Sequence, residues 1–229
     1  MLIPQIGDLL RHSKALKKHL LKVLGIGLIL SILAGLTLDQ TLASYFAQGS
    51  ADNIRAGFRQ ITDIGLSEYY FLIALVTWAF AAWIAPRIEF FQRIPERVDF
   101  ARRWGLNFFV ALIVSGILIH IIKFTVGRQR PHKSPIYDPY VFDPITTHWH
   151  WHSFASGHSQ VMLTAATMMA VALPRFRWFF LSFAVLICFS RVVVLDHFLS
   201  DTIMGGTVGY CGSLIAMRLM KQKTKNGLY

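Results

Sequence analysis

The sequence predicts an all-α integral membrane protein: six transmembrane helices in one bundle, with a polar site at the non-cytoplasmic face. Three observations predict it. The 229 residues are 54% hydrophobic and only 15% charged, with a mean hydropathy of +0.47, which is the composition of a membrane protein. Six apolar stretches approach the roughly 20 helical residues that cross a hydrocarbon core of about 30 Å. Lysine and arginine concentrate in alternate loops, as the positive-inside rule requires.

The elements follow in order. Residues 1–22 mix Leu2, Ile3, Ile6, Leu9, Leu10 and Leu16 with Arg11, Lys14, Lys17, Lys18 and Lys22. This reads equally as an amphipathic interfacial helix and as a plain basic flank of the first span. It does not have the pattern of a cleavable signal. Spans are expected at about 20–38, 69–85, 105–122, 157–174, 177–195 and 202–220. The fourth opens on polar residues and stops at Pro174; the fifth carries Arg191 near its end; the sixth begins near Asp201. No internal repeat, low-complexity linker or shift in composition divides the chain, so residues 1–229 read as a single domain.

The loops orient the bundle. The N-terminal tail, the 86–104 loop with Arg87, Arg93, Arg97, Arg102 and Arg103, the turn at Arg175 and Arg177, and the tail with Arg218, Lys221, Lys223 and Lys225 fall on one side. The 39–68 loop on the other side holds Asp39, Asp52, Asp63 and Glu68 against Arg55 and Arg59. Both termini are therefore expected in the cytoplasm. The formal charge of +11 would favour nucleic acid in a soluble chain. Here it sits in span flanks and reads as topology and affinity for anionic headgroups. No nucleic-acid module and no obligate protein partner is inferred. Cys188 and Cys211 lie inside apolar runs and read as packing residues.

One outer segment breaks the charge rule: Lys123, Arg128, Arg130 and Lys133 are basic. Anion binding supplies a reason. Lys123 and Arg130-Pro131 follow the third span, Ser156-Gly157-His158 open the fourth, and Ser190-Arg191, His197 and Asp201 lie between the fifth and sixth. With six alternating spans all of them reach the same face. An ionisable group at mid-membrane costs about 2.5–3.5 kcal/mol on insertion scales, which makes such a set a functional-site hypothesis by default. Arginine offers phosphate a bidentate fork and lysine a point charge. Ser156 can cap a helix whose free N–H groups receive an oxyanion, and Gly157 allows close approach. His158 is placed as a general acid. If the stretch from His197 to Asp201 is helical, the two share a face, and a carboxylate on one ring nitrogen leaves the other free to attack phosphorus. Asp196 is a rival orienter. Each motif alone has a blander reading: a snorkelling flank, an ordinary helix cap, a buried ion pair.

Together the blocks Lys123-x6-Arg130-Pro131, Ala155-Ser156-Gly157-His158 and Ser190-Arg191-x5-His197-x3-Asp201 resemble the type 2 phosphatidic acid phosphatase superfamily. Only the family's proline before the Ser-Gly-His triplet is missing, replaced by Ala155. The resemblance implies that His197 attacks phosphorus, Asp201 orients and charge-stabilises it, and His158 protonates the leaving lipid oxygen and then activates water. It implies that Lys123, Arg130, Arg191, Ser156 and the Gly157 N–H hold the phosphoryl oxygens, with no metal and no cofactor. The expected substrate is a lipid phosphate or pyrophosphate: lipid A or undecaprenyl pyrophosphate foremost, then phosphatidylglycerol phosphate. In a bacterium the site would be periplasmic, on the inner membrane. Phosphotransfer by the same residues and lipid or anion transport are the alternatives. A vanadate-binding haloperoxidase shares such a site, but those relatives are soluble.

The segment His148-Trp149-His150-Trp151-His152 would put three histidines on one face if extended, a metal-site pattern with no acidic or cysteine partner nearby. The tryptophans read more readily as interfacial anchors. His120 reads as a packed, hydrogen-bonded histidine sooner than as a group that supports the site from behind, Gly205 and Gly209 as small-residue packing of the sixth span, and Arg128 and Lys133 as a contact to a second phosphate or a sugar headgroup, or as a solvated loop.

Overall fold

The computed structural model describes residues 9, 10 and 12–225, with side chains through Lys221. The first residues of the expected interfacial helix, 1–8 and Arg11, lie outside the described residues. Eight α-helices of nine residues or more organise the described residues: α1 Ser13–Thr37, α2 Asp39–Ala47, α3 Asp52–Thr62, α4 Ser67–Ala79, α5 Pro95–Val126, α6 Gly157–Ala172, α7 Arg177–Val193 and α8 Leu199–Lys225. A π turn Phe80–Ile84 and a 3-10 turn Ala85–Arg87 prolong α4. Among the described residues there is no strand, only an isolated bridge between Arg128 and Phe142.

Five helical segments are long and apolar enough to cross a membrane: Ser13–Thr37, Gly49–Arg87, Pro95–Val126, Pro174–Val193 and Leu199–Lys221. The expected fourth span is α6, whose 16 residues rise about 24 Å at 1.5 Å each, short of a full crossing. It ends because Leu173 precedes Pro174 and leaves the helical region, at φ −128 and ψ 72. The third expected span, α5, is longer than its apolar run. It starts at Pro95, where a proline is tolerated at the first helical position, and absorbs half of the expected 86–104 loop. The 39–68 stretch, expected as an outer loop, is built largely from α2 and α3.

Leu28, Ile29, Ile32 and Leu36 of α1, Ile117 and Ile121 of α5, and Phe179 and Val185 of α7 are exposed. Stripes of this kind need lipid as their solvent. Inside, α8 packs against α6, α5 and α1. Glycines set the spacing. A Cβ on Gly205 would lie 2.3 Å from the Ser156 carbonyl oxygen, and one on Gly209 would lie 2.2 Å from that of Gln160. Only glycine lets the backbones of α6 and α8 come so near. Where α6 meets α5, Gln160 Nε2 donates to Ser115 Oγ at 2.6 Å, and within α6 Thr164 Oγ1 donates to the Gln160 carbonyl at 2.9 Å. The close approach sets the start of α6 on the start of α8, where the Ser156 N–H donates to the Asp201 carbonyl at 3.0 Å.

Candidate active site

Four helix ends meet at one end of the bundle. Lys123 lies a turn before the end of α5. The helix stops there because Gly127 adopts φ +60 and its N–H returns to the Lys123 carbonyl at 3.1 Å. A side chain at Gly127 would also sit 1.8 Å from the Asp143 carbonyl oxygen. Lys123 Nζ donates to the His152 carbonyl at 2.6 Å. Downstream, the Arg130 guanidinium lies 5.0 Å from the Trp149 ring centre, and its Nε donates to the Trp149 carbonyl at 3.3 Å.

Ser156 caps α6, accepting the Ser159 N–H at 3.3 Å. It is fully buried and does not line the cavity described below. Sequence reasoning gave Ser156 both a capping and a phosphate-binding part; the hydroxyl is turned into the helix, and the geometry brings out the cap. Gly157 and His158, in the first turn, do face the cavity. The His158 ring packs on Gly65, where a Cβ would lie 2.8 Å from Cδ2, and its buried Nε2 has no hydrogen-bond partner.

At the end of α7, Arg191 donates through Nη1 to Thr62 Oγ1 at 2.8 Å and through Nη2 to Asp196 Oδ2 at 2.5 Å, while its buried Nε is unpartnered. Asp196, the rival orienter, is thus engaged by Arg191. Leu195 turns the chain at φ +63, a conformation uncommon for a branched side chain, and the His197 N–H reaches back to the Arg191 carbonyl at 3.2 Å. His197 precedes α8 instead of lying on it. Its Nδ1 lies 2.8 Å from the Ser153 carbonyl and 3.7 Å from Asp201 Oδ2. A carbonyl only accepts, so Nδ1 carries the proton and Nε2 keeps its lone pair. The direct contact expected between Asp201 and the ring is therefore replaced by a carbonyl, because the carboxylate is spoken for. Asp201 Oδ2 accepts from Ser153 Oγ at 2.6 Å and from the Phe198 N–H at 2.8 Å, the latter as half of a capping box.

Behind this lies a layer that sequence reasoning missed. Arg128, expected at a phosphate or in a solvated loop, is buried. It donates to Asp201 Oδ1 at 2.5 Å, Ser200 Oγ at 2.7 Å, Asp39 Oδ2 at 2.8 Å and the Pro139 carbonyl at 2.8 Å. Asp39, counted as a loop acid, is fully buried and also accepts the Ser200 N–H at 2.9 Å. The available signal was position: Asp39 and Arg128 close the first and third spans on the same face. Burial opposes the charge of Arg128, but Asp201 and Asp39 outweigh it and hold its pKa above the ordinary value. Burial, with Asp196 and Asp201 opposing, lowers that of Arg130. His197 is held well below the histidine range, first by burial and then by Arg130, Lys123, Arg191 and His158. It is neutral at pH 7, as a nucleophile must be.

A cavity of about 910 Å³ gathers Lys123, Arg130, Gly157, His158, Arg191 and His197 at one end and runs along Phe71, Gly116, Ile117 and Phe124 between α4 and α5. Asp201 lies behind its wall. Residues 149–151 form a 3-10 turn, so the three histidines at 148, 150 and 152 do not share the face of an extended strand. His152 Nε2 is engaged by the Thr146 carbonyl at 2.9 Å. Among the described residues, no group of three His, Cys, Asp or Glu could hold a metal ion.

Residues 104–225 match the sequence profile of the PAP2 superfamily. The chain belongs to this family. All three PAP2 motif blocks fall inside the matched region and contribute to the cavity described above. The chain is 33% identical over 111 residues to a lipid A 1-phosphatase of Rhizobium etli, a match covering 48% of each chain. It is 25% identical over 119 residues to an undecaprenyl-diphosphatase of Sulfolobus acidocaldarius, covering 52% of this chain and 56% of that one. The chain spans about half the length of the curated relatives it matches. Its fold is similar to the crystal structures of Aquifex aeolicus LpxE and of a transmembrane PAP2-type phosphatidylglycerolphosphate phosphatase from Bacillus subtilis. The first gives a TM-score of 0.53 at 18% identity, covering 79% of this chain and 95% of that one. The second gives 0.60 at 19% identity, covering 89% and 96%.

Proposed function

We infer that the protein is an integral membrane phosphatase that hydrolyses a lipid phosphate or pyrophosphate through a phosphohistidine intermediate. One observation carries this reading: a single cavity joins three cations and two histidines to an apolar groove open between two lipid-facing helices. The phosphate belongs at the cationic end and the chain of the lipid in the groove. His197 Nε2 attacks phosphorus and forms the P–N bond as the P–O bond to the lipid breaks. His158, protonated beside the bound phosphate dianion, gives its proton to the leaving oxygen. His158, now neutral, takes a proton from water as that water attacks phosphorus; the P–N bond breaks and inorganic phosphate leaves. Lys123, Arg130, Arg191 and the Gly157 N–H neutralise the phosphoryl oxygens, strongest as charge develops in the transition state. Ser156 holds the helix start that presents Gly157, and Asp201 favours the charged imidazole from 3.7 Å. No step draws on a metal.

The six-span reading, with α6 as the short central span, puts both termini in the cytoplasm and the site on the outer side, periplasmic in a bacterium. The similarity to a lipid A 1-phosphatase and an undecaprenyl-diphosphatase supports lipid A and undecaprenyl pyrophosphate as the first substrates to test. Phosphatidylglycerol phosphate and phosphatidic acid complete the panel. The experiment is inorganic phosphate release by the purified protein in EDTA, with His197→Ala beside it. Release from one lipid, abolished in the variant, is expected. Phosphate that moves to a second lipid instead of to water would convert the reading to phosphotransfer, and lipid movement without hydrolysis would convert it to transport.

A further inference from the structure

Every polar group of Ser153 is committed to the site, although Ser153 touches no part of the cavity. Its N–H donates to the Arg128 carbonyl at 3.0 Å. Its hydroxyl donates to Asp201 Oδ2 at 2.6 Å. Its carbonyl accepts from His197 Nδ1 at 2.8 Å. The residue is fully buried. Asp201 is in turn fixed by Arg128, and Arg128 by Asp39 at the start of α2. The carboxylate that looks, from its i to i+4 spacing, as if it should grip His197 instead grips the residue whose carbonyl does so.

We propose that Ser153 is a positioning residue for the nucleophile: its hydroxyl, anchored on Asp201, fixes the peptide carbonyl that sets the tautomer and aim of His197. The proposal rests on the phosphatase reading for its kinetic arm only. Rotation of the 153–154 peptide would remove the acceptor facing Nδ1. The ring would then be free to carry its proton on Nε2, where it blocks attack. The hydroxyl, held on Asp201 at 2.6 Å, resists this rotation. The anchor also keeps Asp201 close enough to favour the cationic ring that forms when Nε2 is phosphorylated, without letting it take the Nδ1 proton.

The test uses the full-length purified protein, wild type beside Ser153→Ala, Ser153→Thr and His197→Ala. Alanine keeps the carbonyl and loses the anchor; threonine keeps both. For Ser153→Ala we expect kcat to fall about 10–100-fold, the cost of misaiming a reacting group by an ångström or less, with KM within about 2-fold and rescue by threonine to within about 3-fold of wild type. A second measurement does not depend on turnover: 15N spectra of the histidines should show the His197 protonated at Nδ1 in wild type and Ser153→Thr, and a mixed tautomer in Ser153→Ala. An unchanged kcat with an unchanged tautomer would overturn the proposal and mean that Asp201 closes the 3.7 Å gap by itself. So would a Ser153→Ala loss that threonine does not restore and that tracks thermal unfolding. If wild type releases no phosphate from any lipid, the phosphatase reading fails while the spectra still decide the positioning role.

Discussion

Replacing Arg128 by methionine removes a guanidinium whose side chain is 5% exposed and leaves Asp39 and Asp201, both at 0%, facing each other across the vacated space. Four hydrogen bonds are lost, three of them to side chains of α2 and α8. Removing one partner of a buried ion pair costs about 3–5 kcal/mol. Here one cation serves two carboxylates, so the upper half of that range applies. In a chain of this size 1 kcal/mol moves the melting temperature by roughly 2–4 °C, so a drop of roughly 8–20 °C is expected. Thermal unfolding in detergent measures it. Arg128→Lys, which can reach one carboxylate but not both, should fall in between. Adding Asp39→Asn to Arg128→Met removes one orphan charge and should recover part of the loss, a coupling that independent sites do not show. Melting of Arg128→Met within about 2 °C of wild type would refute the reasoning and return Arg128 to the solvated loop that its sequence context suggested. Lys133→Ala, in the same basic segment but exposed, is the control and should not shift the transition.

Four further outcomes follow from the geometry. Protonated His197 cannot attack, and Arg130 is the largest of the charges holding its pKa down. Arg130→Gln should therefore move the acid limb of the kcat/KM profile to higher pH as well as lower its height; a limb that stays or moves down contradicts the assignment. The same depression makes the fold lose stability as pH falls below about 6.5, where the unfolded chain takes up a proton that the folded chain refuses, and denaturant midpoints between pH 7 and 5 measure that loss. Gly65→Ala would put a Cβ 2.8 Å from His158 Cδ2 and push aside the proposed general acid, so kcat should fall about 10–100-fold with little change in melting temperature. Gly116 lines the groove and has nothing within 4 Å of its Cβ position. Gly116→Phe should displace about three methylenes of a bound lipid, about 2–3 kcal/mol, and cut the kcat/KM preference for long over short acyl chains roughly 30–100-fold. An unchanged preference would place the lipid elsewhere.

What the sequence made legible, and what it did not, divides by the range of the interaction. Lys123, His158, Arg191 and His197 were legible because each sits at a helix end marked by local chemistry: a glycine cap, a Ser-Gly start, the close of an apolar run. Their convergence followed from counting spans. The short α6 was half legible, since Pro174 fixes its end, but apolar length alone could not tell a buried 16-residue helix from a full crossing. The carboxylate chemistry was less legible. Spacing put Asp201 on the face of His197, and the residues are indeed i and i+4, yet α8 begins at Leu199 and His197 stands outside it. The four-residue gap therefore lost its helical meaning, and Ser153, from a loop more than forty positions earlier, took the ring. Asp39 and Arg128 are 89 positions apart and carry no motif that links them. A buried carboxylate demands a partner, so the burial of Asp39 at the start of α2 is what forces Arg128 inward. That demand is visible only once α2, α5 and α8 are packed, which makes the ion network a property of the assembled bundle and the candidate catalytic set a property of its helix ends.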